Sequence, residues 1–184
     1  RNTGGVNFVS DVLGRRDPDT VALIELARDG TRREWTFGQV VDHVAALAAT
    51  FLACGVQRGD VVMTLIGNRP EWVLSMVASF RIGAVALPCN EQLRAHDLEL
   101  RIATARPRLI VVDERDTAAL TEALQAFPEA ERPVVRTVPD PELHDPAALA
   151  APAPAVLAPE DPCLITFTSG TTGEAKGVLH GQEY

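Results

Sequence analysis

Val61-Val62-Met63-Thr64-Leu65-Ile66 is a short, nearly unbroken apolar run; Pro70 then opens the stretch Glu71 to Ile82, Gly83 closes it, and Ala84 to Leu87 is apolar again. A brief run with β-branched residues and no polar alternation predicts a parallel strand covered on both faces. Proline in the first turn and glycine past the end predict a helix over Glu71–Ile82. Strand, helix and strand in that order form a crossover unit, which is right-handed when the strands are parallel. Upstream, Phe37, Val40, Val41, Val44, Leu47, Ala48 and Phe51 form a helical stripe, with Thr36 as N-cap and Gly55 as the stop. Downstream, the pattern predicts a helix over Ala95–Ala105, a strand over Leu109–Asp113, a helix over Thr117–Phe127 and a strand over Val134–Val138. This alternation predicts an α/β fold with a doubly wound, mostly parallel sheet flanked by helices.

The alternation breaks between Pro139 and Pro162, a stretch that holds seven of the thirteen prolines. Such a segment stays extended at low entropic cost, and it is expected to carry the chain over the surface to a further strand, Leu164–Thr168. Gly177-Val178-Leu179-His180 has no helix N-cap before it and reads as a returning strand. At 184 residues the chain is long enough for one core and short for two domains.

A net charge of −8 with no long basic run argues against a nucleic-acid or acidic-membrane surface. Cys54, Cys89 and Cys163 show neither metal-ligand spacing nor an even-numbered disulfide framework, so they read as buried thiols in a reducing compartment. No signal peptide is read in residues 1–14, and segments such as Val44–Val56 are too short to span a bilayer. The expectation is a soluble, cytoplasmic protein.

Between the two last strands lies Thr168-Ser169-Gly170-Thr171-Thr172-Gly173-Glu174-Ala175-Lys176-Gly177, with four hydroxyls, three glycines and one ammonium in ten positions. Lys176 is the only lysine; the other sixteen basic residues are arginines. Glycines let a backbone bring successive N–H groups onto an anion, hydroxyls donate beside them, and lysine adds a mobile point charge. This is the chemistry of a phosphate site. It is not a Walker loop, which needs Gly-Lys followed by Ser or Thr; here Ala175 precedes Lys176 and Gly177 follows it.

The segment resembles the phosphate loop of the adenylate-forming superfamily, usually Thr-Ser-Gly-Thr-Thr-Gly-x-Pro-Lys-Gly-Val, with Ala175 standing where proline is usual. Trp35-Thr36-Phe37-Gly38-Gln39-Val40 and Phe80-Arg81-Ile82-Gly83-Ala84-Val85-Ala86-Leu87-Pro88 resemble two earlier family segments, in the family's order. Gln92-Leu93-Arg94-Ala95-His96-Asp97-Leu98-Glu99-Leu100-Arg101-Ile102 is similar to a stretch of medium-chain acyl-CoA synthetases, which favours a fatty or related carboxylic acid as substrate.

The resemblance implies that residues 1–184 are the N-terminal portion of a large AMP-binding domain, whose remainder and C-terminal domain lie outside this sequence. It also implies an acid–thiol ligase that adenylates a carboxylic acid with ATP and magnesium, releases pyrophosphate and passes the acyl group to CoA. Thr168, Ser169, Gly170, Thr171, Thr172, Gly173 and Lys176 would hold the β- and γ-phosphates, with Lys176 as the catalytic cation. The family's magnesium ligand falls past Tyr184, so none is assigned here. Two alternatives stay open: an adenylation domain that loads a carrier protein, and a non-catalytic nucleotide-binding or interaction module. His180 reads as a structural histidine, Glu71 as a carboxylate placed for the helix dipole, Trp72 as a core residue, and Asp97 with Arg101 as an exposed ion pair.

Overall fold

A computed structural model describes residues 5–27, 29–140, 150–169 and 175–183. A short helix α1 (Phe8–Asp11) precedes an antiparallel hairpin, β1 (Val21–Leu26) and β2 (Arg32–Thr36), and a long helix α2 (Phe37–Ala53). Then follow β3 (Val61–Leu65), α3 (Pro70–Ile82), β4 (Val85–Cys89), α4 (Ala95–Ala105), β5 (Leu109–Asp113), α5 (Thr117–Leu124), β6 (Val134–Val138), β7 (Pro162–Ser169) and β8 (Ala175–Gly181). The main sheet has the order β6-β5-β3-β4-β7-β8; only the last pair, β7 with β8, is antiparallel.

Strand β3 explains the architecture. Val62, Met63, Thr64 and Leu65 are all sealed from water, so the sheet needs cover on both faces. On one face Val62, Leu109 and Val111 pack with Val44, Phe51 and Leu74 of α2 and α3; on the other Met63, Leu87 and Ile110 pack with Leu98, Ile102 and Leu120 of α4 and α5. The doubly wound sheet expected from the sequence is therefore present.

Local signals set the helix ends. Thr36 and Gln39 form a reciprocal capping box at α2, with Gln39 N–H donating to Thr36 Oγ1 at 3.3 Å and Thr36 N–H to Gln39 Oε1 at 2.9 Å. Pro70 opens α3 and Gly83 ends it in the left-handed conformation, φ 72°. Helix α5 stops at Leu124, three residues short of the expected Phe127, because the N–H groups of Gln125, Ala126 and Phe127 fold back onto carbonyls three residues behind as the chain approaches Pro128.

Two features lie outside the sequence expectation. The β1–β2 hairpin is one, and the other is Asn7, which is buried and accepts from Val9 N–H while its Nδ2 donates to the carbonyls of Phe80, Arg81 and Ala155. One side chain thus ties the first helix to the end of α3 and to the proline-rich return. That return is also held by Arg81 Nε, which donates to Pro152 O at 2.9 Å, and by an ion pair between Arg58 and Asp161. Residues 141–149 of the expected surface connection lie outside the described residues.

At the carboxyl edge of the sheet, the last residue of β5 is bound to the start of α3. Asp113, with no exposed side-chain surface, accepts from Arg115 Nη2 at 2.7 Å and Nε at 2.9 Å, and from Arg69 Nη1 at 3.3 Å. Arg69 also pairs with Glu71 at 3.2 Å. The hydrogen bonds and charge of Arg115, aided by Arg69, hold the Asp113 carboxyl down to about 2 from its ordinary 3.8.

Two stability tests follow from these ends and edges. A Cβ at Gly83 would meet Leu157 Cδ2 at 2.8 Å on a backbone that disfavours side chains, so Gly83→Ala should cost about 1–3 kcal/mol in urea unfolding. Asp113→Asn should cost about 2–4 kcal/mol near pH 6, because two guanidinium groups lose their shared anion. A depressed folded pKa gives stability that is complete above the ordinary carboxylate value and lost as pH falls through about 2, so the gap between wild type and Asp113→Asn should close over that interval. Denaturant midpoints measured across the acid range check it.

Candidate functional site

The connections after β3 and β4 leave toward opposite faces, since α3 packs on one side of the sheet and α4 on the other. Open α/β sheets bind ligands outside the carboxyl ends of strands at such a reversal. A cleft of about 410 Å³ lies there, lined by Gly67, Asn68, Trp72, Cys89, Asn90 and Glu91. The Glu91 carboxylate lies over Gly67, its Oε2 1.6 Å from where a Cβ would stand, so a side chain at this position would have to turn the carboxylate aside. A second cavity, about 640 Å³, opens between β1 and the start of α3, with Leu23, Ile24, Arg69, Trp72 and Arg115 among its walls.

Strand β7 runs parallel to β4, so its carboxyl end emerges on the same edge as this cleft. It continues into the hydroxyl- and glycine-rich loop, and the chain returns as β8. The register sets Ser169 opposite Ala175, Thr168 opposite Lys176, Phe167 opposite Gly177, Thr166 opposite Val178 and Leu164 opposite His180. The loop therefore bridges two antiparallel strands, as the missing N-cap predicts. Directly opposed residues share a face, so Thr168 and Lys176 project from the same side at the base of the loop, and both are exposed. Gly170, Thr171, Thr172 and Gly173 lie outside the described residues, and of Ser169 the strand position is described.

His180 is on the Thr168–Lys176 face and its Nε2 lies 2.9 Å from Thr166 Oγ1, a cross-strand tie in keeping with a structural histidine. On the opposite face the Phe167 ring lies against Gly177, its Cζ 3.4 Å from where a Cβ would stand. The Arg101 guanidinium of α4 lies 5.0 Å from the Phe167 ring centroid. The exposed Asp97–Arg101 ion pair expected from their spacing is not among the ion pairs of the described residues. Arg101 instead donates through Nη1 to the Asp97 carbonyl at 2.8 Å, and the half-buried Asp97 carboxylate accepts from Arg94 N–H. Trp72 is partly buried and packs against the α2–α3 core, as its place in the helical stripe predicts. Glu71, expected only to favour the helix dipole, also belongs to the Arg69–Asp113–Arg115 network.

Cys89, at the end of β4, faces the cleft without the character of a nucleophile: burial pushes its thiol up to about 12, and the charge of Arg101 offsets this only in part. All three cysteines are buried and unpaired.

The sequence matches the family model for the AMP-binding enzymes over residues 11–184. It is 36% identical over 176 residues to the hybrid PKS-NRPS synthetase mycA of Thermothelomyces thermophilus, covering 95% of this chain and 4% of that protein. It is 33% identical over 198 residues to the mitochondrial acyl-coenzyme A synthetase ACSM5 of Rattus norvegicus, covering 96% of this chain and 33% of that one. The crystal structure of an acyl-CoA synthetase from Brucella canis superposes with a TM-score of 0.84 at 25% identity, over 97% of this chain and 34% of that one. The chain thus spans about a third of these synthetases and a small fraction of the hybrid enzyme. With the family model matched over nearly its whole length, this chain belongs to the AMP-binding enzyme family.

Proposed function

We propose that residues 1–184 supply the ATP-phosphate end of the active site of an acyl-CoA synthetase, acting on a fatty or related carboxylic acid. The observation that supports this reading is the register of β7 and β8, in which the single lysine of residues 1–184 pairs with Thr168 at the base of the hydroxyl- and glycine-rich loop. Both strand ends lie on the carboxyl edge that holds the cleft between β3 and β4.

In this reading a substrate carboxylate oxygen attacks the α-phosphorus of ATP, the bond from that phosphorus to the bridging oxygen breaks, and pyrophosphate leaves. The thiolate of CoA then displaces AMP from the acyl-adenylate. Thr168, Ser169, Gly170, Thr171, Thr172 and Gly173 hold the β- and γ-phosphates through backbone N–H groups and hydroxyls, while the Lys176 ammonium meets the charge that builds on the departing pyrophosphate. Such chemistry depends on positioning and charge neutralisation more than on covalent participation by the protein. Magnesium accompanies the nucleotide; among the described residues no group of three or more His, Cys, Asp or Glu is arranged to hold it, and no step is assigned to it. A cytoplasmic location belongs to the same reading, supported by three free cysteines. Among the described residues no helix is long and apolar enough to cross a membrane.

The similarity to mycA favours a second reading, in which the acceptor is a carrier-protein thiol and not CoA. Offering the complete protein both acceptors and following acyl transfer separates the two readings.

Lys176→Ala, made in the complete protein that carries this chain, should lower ATP–pyrophosphate exchange at saturating ATP by about 30-fold to 1,000-fold, the equivalent of about 2–4 kcal/mol of transition-state stabilisation. ATP affinity should fall less. Lys176→Arg should restore part of the rate, since the planar fork is bulkier than an ammonium. Unchanged exchange in the Ala variant would reduce the loop to a structural turn.

A further inference from the structure

We infer that Arg101 is a positioning residue for the phosphate loop: together with the Phe167 ring, which lies over Gly177, it clasps the two strands at the level where the loop leaves the sheet. The proposal rests on the functional reading above. Its starting point is the seam between β4 and β7, where the one recorded register pair is Ala86 with Leu164. By contrast β3 and β4 share five register pairs, so the β7–β8 ribbon is attached to the parallel sheet by a short ladder near its amino end. Beyond Leu164 the ribbon runs on through Phe167 and Thr168 to Ser169. Continuing the Ala86–Leu164 register sets Cys89, the last residue of β4, level with Phe167.

Side chains hold this outer part. Phe167 and Ile165 pack onto the core of Leu98 and Ile102, the buried face of α4, and Arg101 lies on the same helix beside them. Its Nη1 bond to the Asp97 carbonyl fixes the guanidinium plane, and its distance from the Phe167 centroid, 5.0 Å, is that of a cation over an aromatic face. Among the described residues no carboxylate lies within ion-pair distance of this guanidinium, which meets the ring and the Asp97 carbonyl instead. On the β8 side, Gly177 has no side chain, and the edge of the Phe167 ring occupies the space above it. A Cβ there would stand in ordinary van der Waals contact with the ring edge, so the ring lies directly over the β8 backbone at Gly177. Since Thr168 and Lys176 are one residue away on each strand, the separation of their side chains follows the separation that the clasp sets.

The test uses Arg101→Met, Phe167→Leu and their combination in the complete protein, with Lys176→Ala as reference and thermal unfolding as a check on folding. Each single variant should raise the KM for ATP in pyrophosphate exchange by about 3-fold to 10-fold while changing kcat less, the scale of one partly buried cation–aromatic contact. The double variant should be no worse than the poorer single, because both remove the same interaction. Arg101→Lys should lie between wild type and Arg101→Met, and Phe167→Tyr should behave as wild type. In NMR spectra the Arg101 Nε–Hε signal should carry a ring-current shift that disappears in Phe167→Leu. A direct phosphate contact by Arg101 predicts instead that Phe167→Leu is silent while Arg101→Met is not, and that outcome overturns the inference. Additive losses, or a wild-type KM in both folded single variants, overturn it too. If Phe167→Leu does not fold, Phe167→Met, which also removes the aromatic ring and keeps more of its volume, takes its place in the same comparison. A silent Lys176→Ala marks the failure of the functional reading and takes the inference with it; an impaired Lys176→Ala beside silent Arg101 and Phe167 variants rejects the clasp alone.

Discussion

A strand sealed from water on both faces must have cover on both, and β3 imposes this constraint on everything around it. Val62 faces one helical layer and Met63 the other, and the chain satisfies both by sending α3 to one side and α4 to the other. That divergence opens the cleft at the ends of β3 and β4, because two connections leaving in opposite directions cannot fill the space above the strands they leave. The site is in this sense a by-product of covering the sheet. β7 then delivers a polar loop to the edge that the helices have vacated.

The elements that burial and backbone chemistry decide locally were legible in the sequence. Thr36 with Gln39, Pro70 and Gly83 each mark a helix end through groups within four residues, and β5 is an apolar run with no other reading. The β1–β2 hairpin was not legible, since Val21–Leu26 and Arg32–Thr36 lie largely exposed and form no clean alternation of apolar and polar residues. Asn7 was equally silent, because its partners Phe80, Arg81 and Ala155 lie 73 to 148 residues away. Helix α5 is an intermediate case: its stripe continues to Phe127, while the backbone tightens before Pro128.

For the candidate site the loop was plain from its composition, and its two strand stems followed from the absence of a cap after Gly177. What surrounds it was harder to read. Spacing of four on a helix suggests an Asp97–Arg101 pair, yet the tertiary structure offers Arg101 an aromatic ring on β7, sixty-six positions away in the chain. The Arg69–Asp113–Arg115 network escaped notice for a related reason. Its anion ends a strand that otherwise reads as wholly apolar, and only the sheet order brings β5 beside the start of α3.

The single lysine has a chemical consequence separate from phosphate binding. Within residues 1–184 it is the one side-chain amine, and β8 holds it in the open at the mouth of the hairpin. Arginine supplies every other positive side chain, and its guanidinium stays protonated and unreactive toward acylating reagents under ordinary conditions. The three thiols are buried. Amine-directed reagents therefore find one internal address in this segment. A fluorophore or crosslinker delivered by that chemistry to this segment would sit at the loop itself without any engineered residue, since arginine supplies every other positive side chain of residues 1–184.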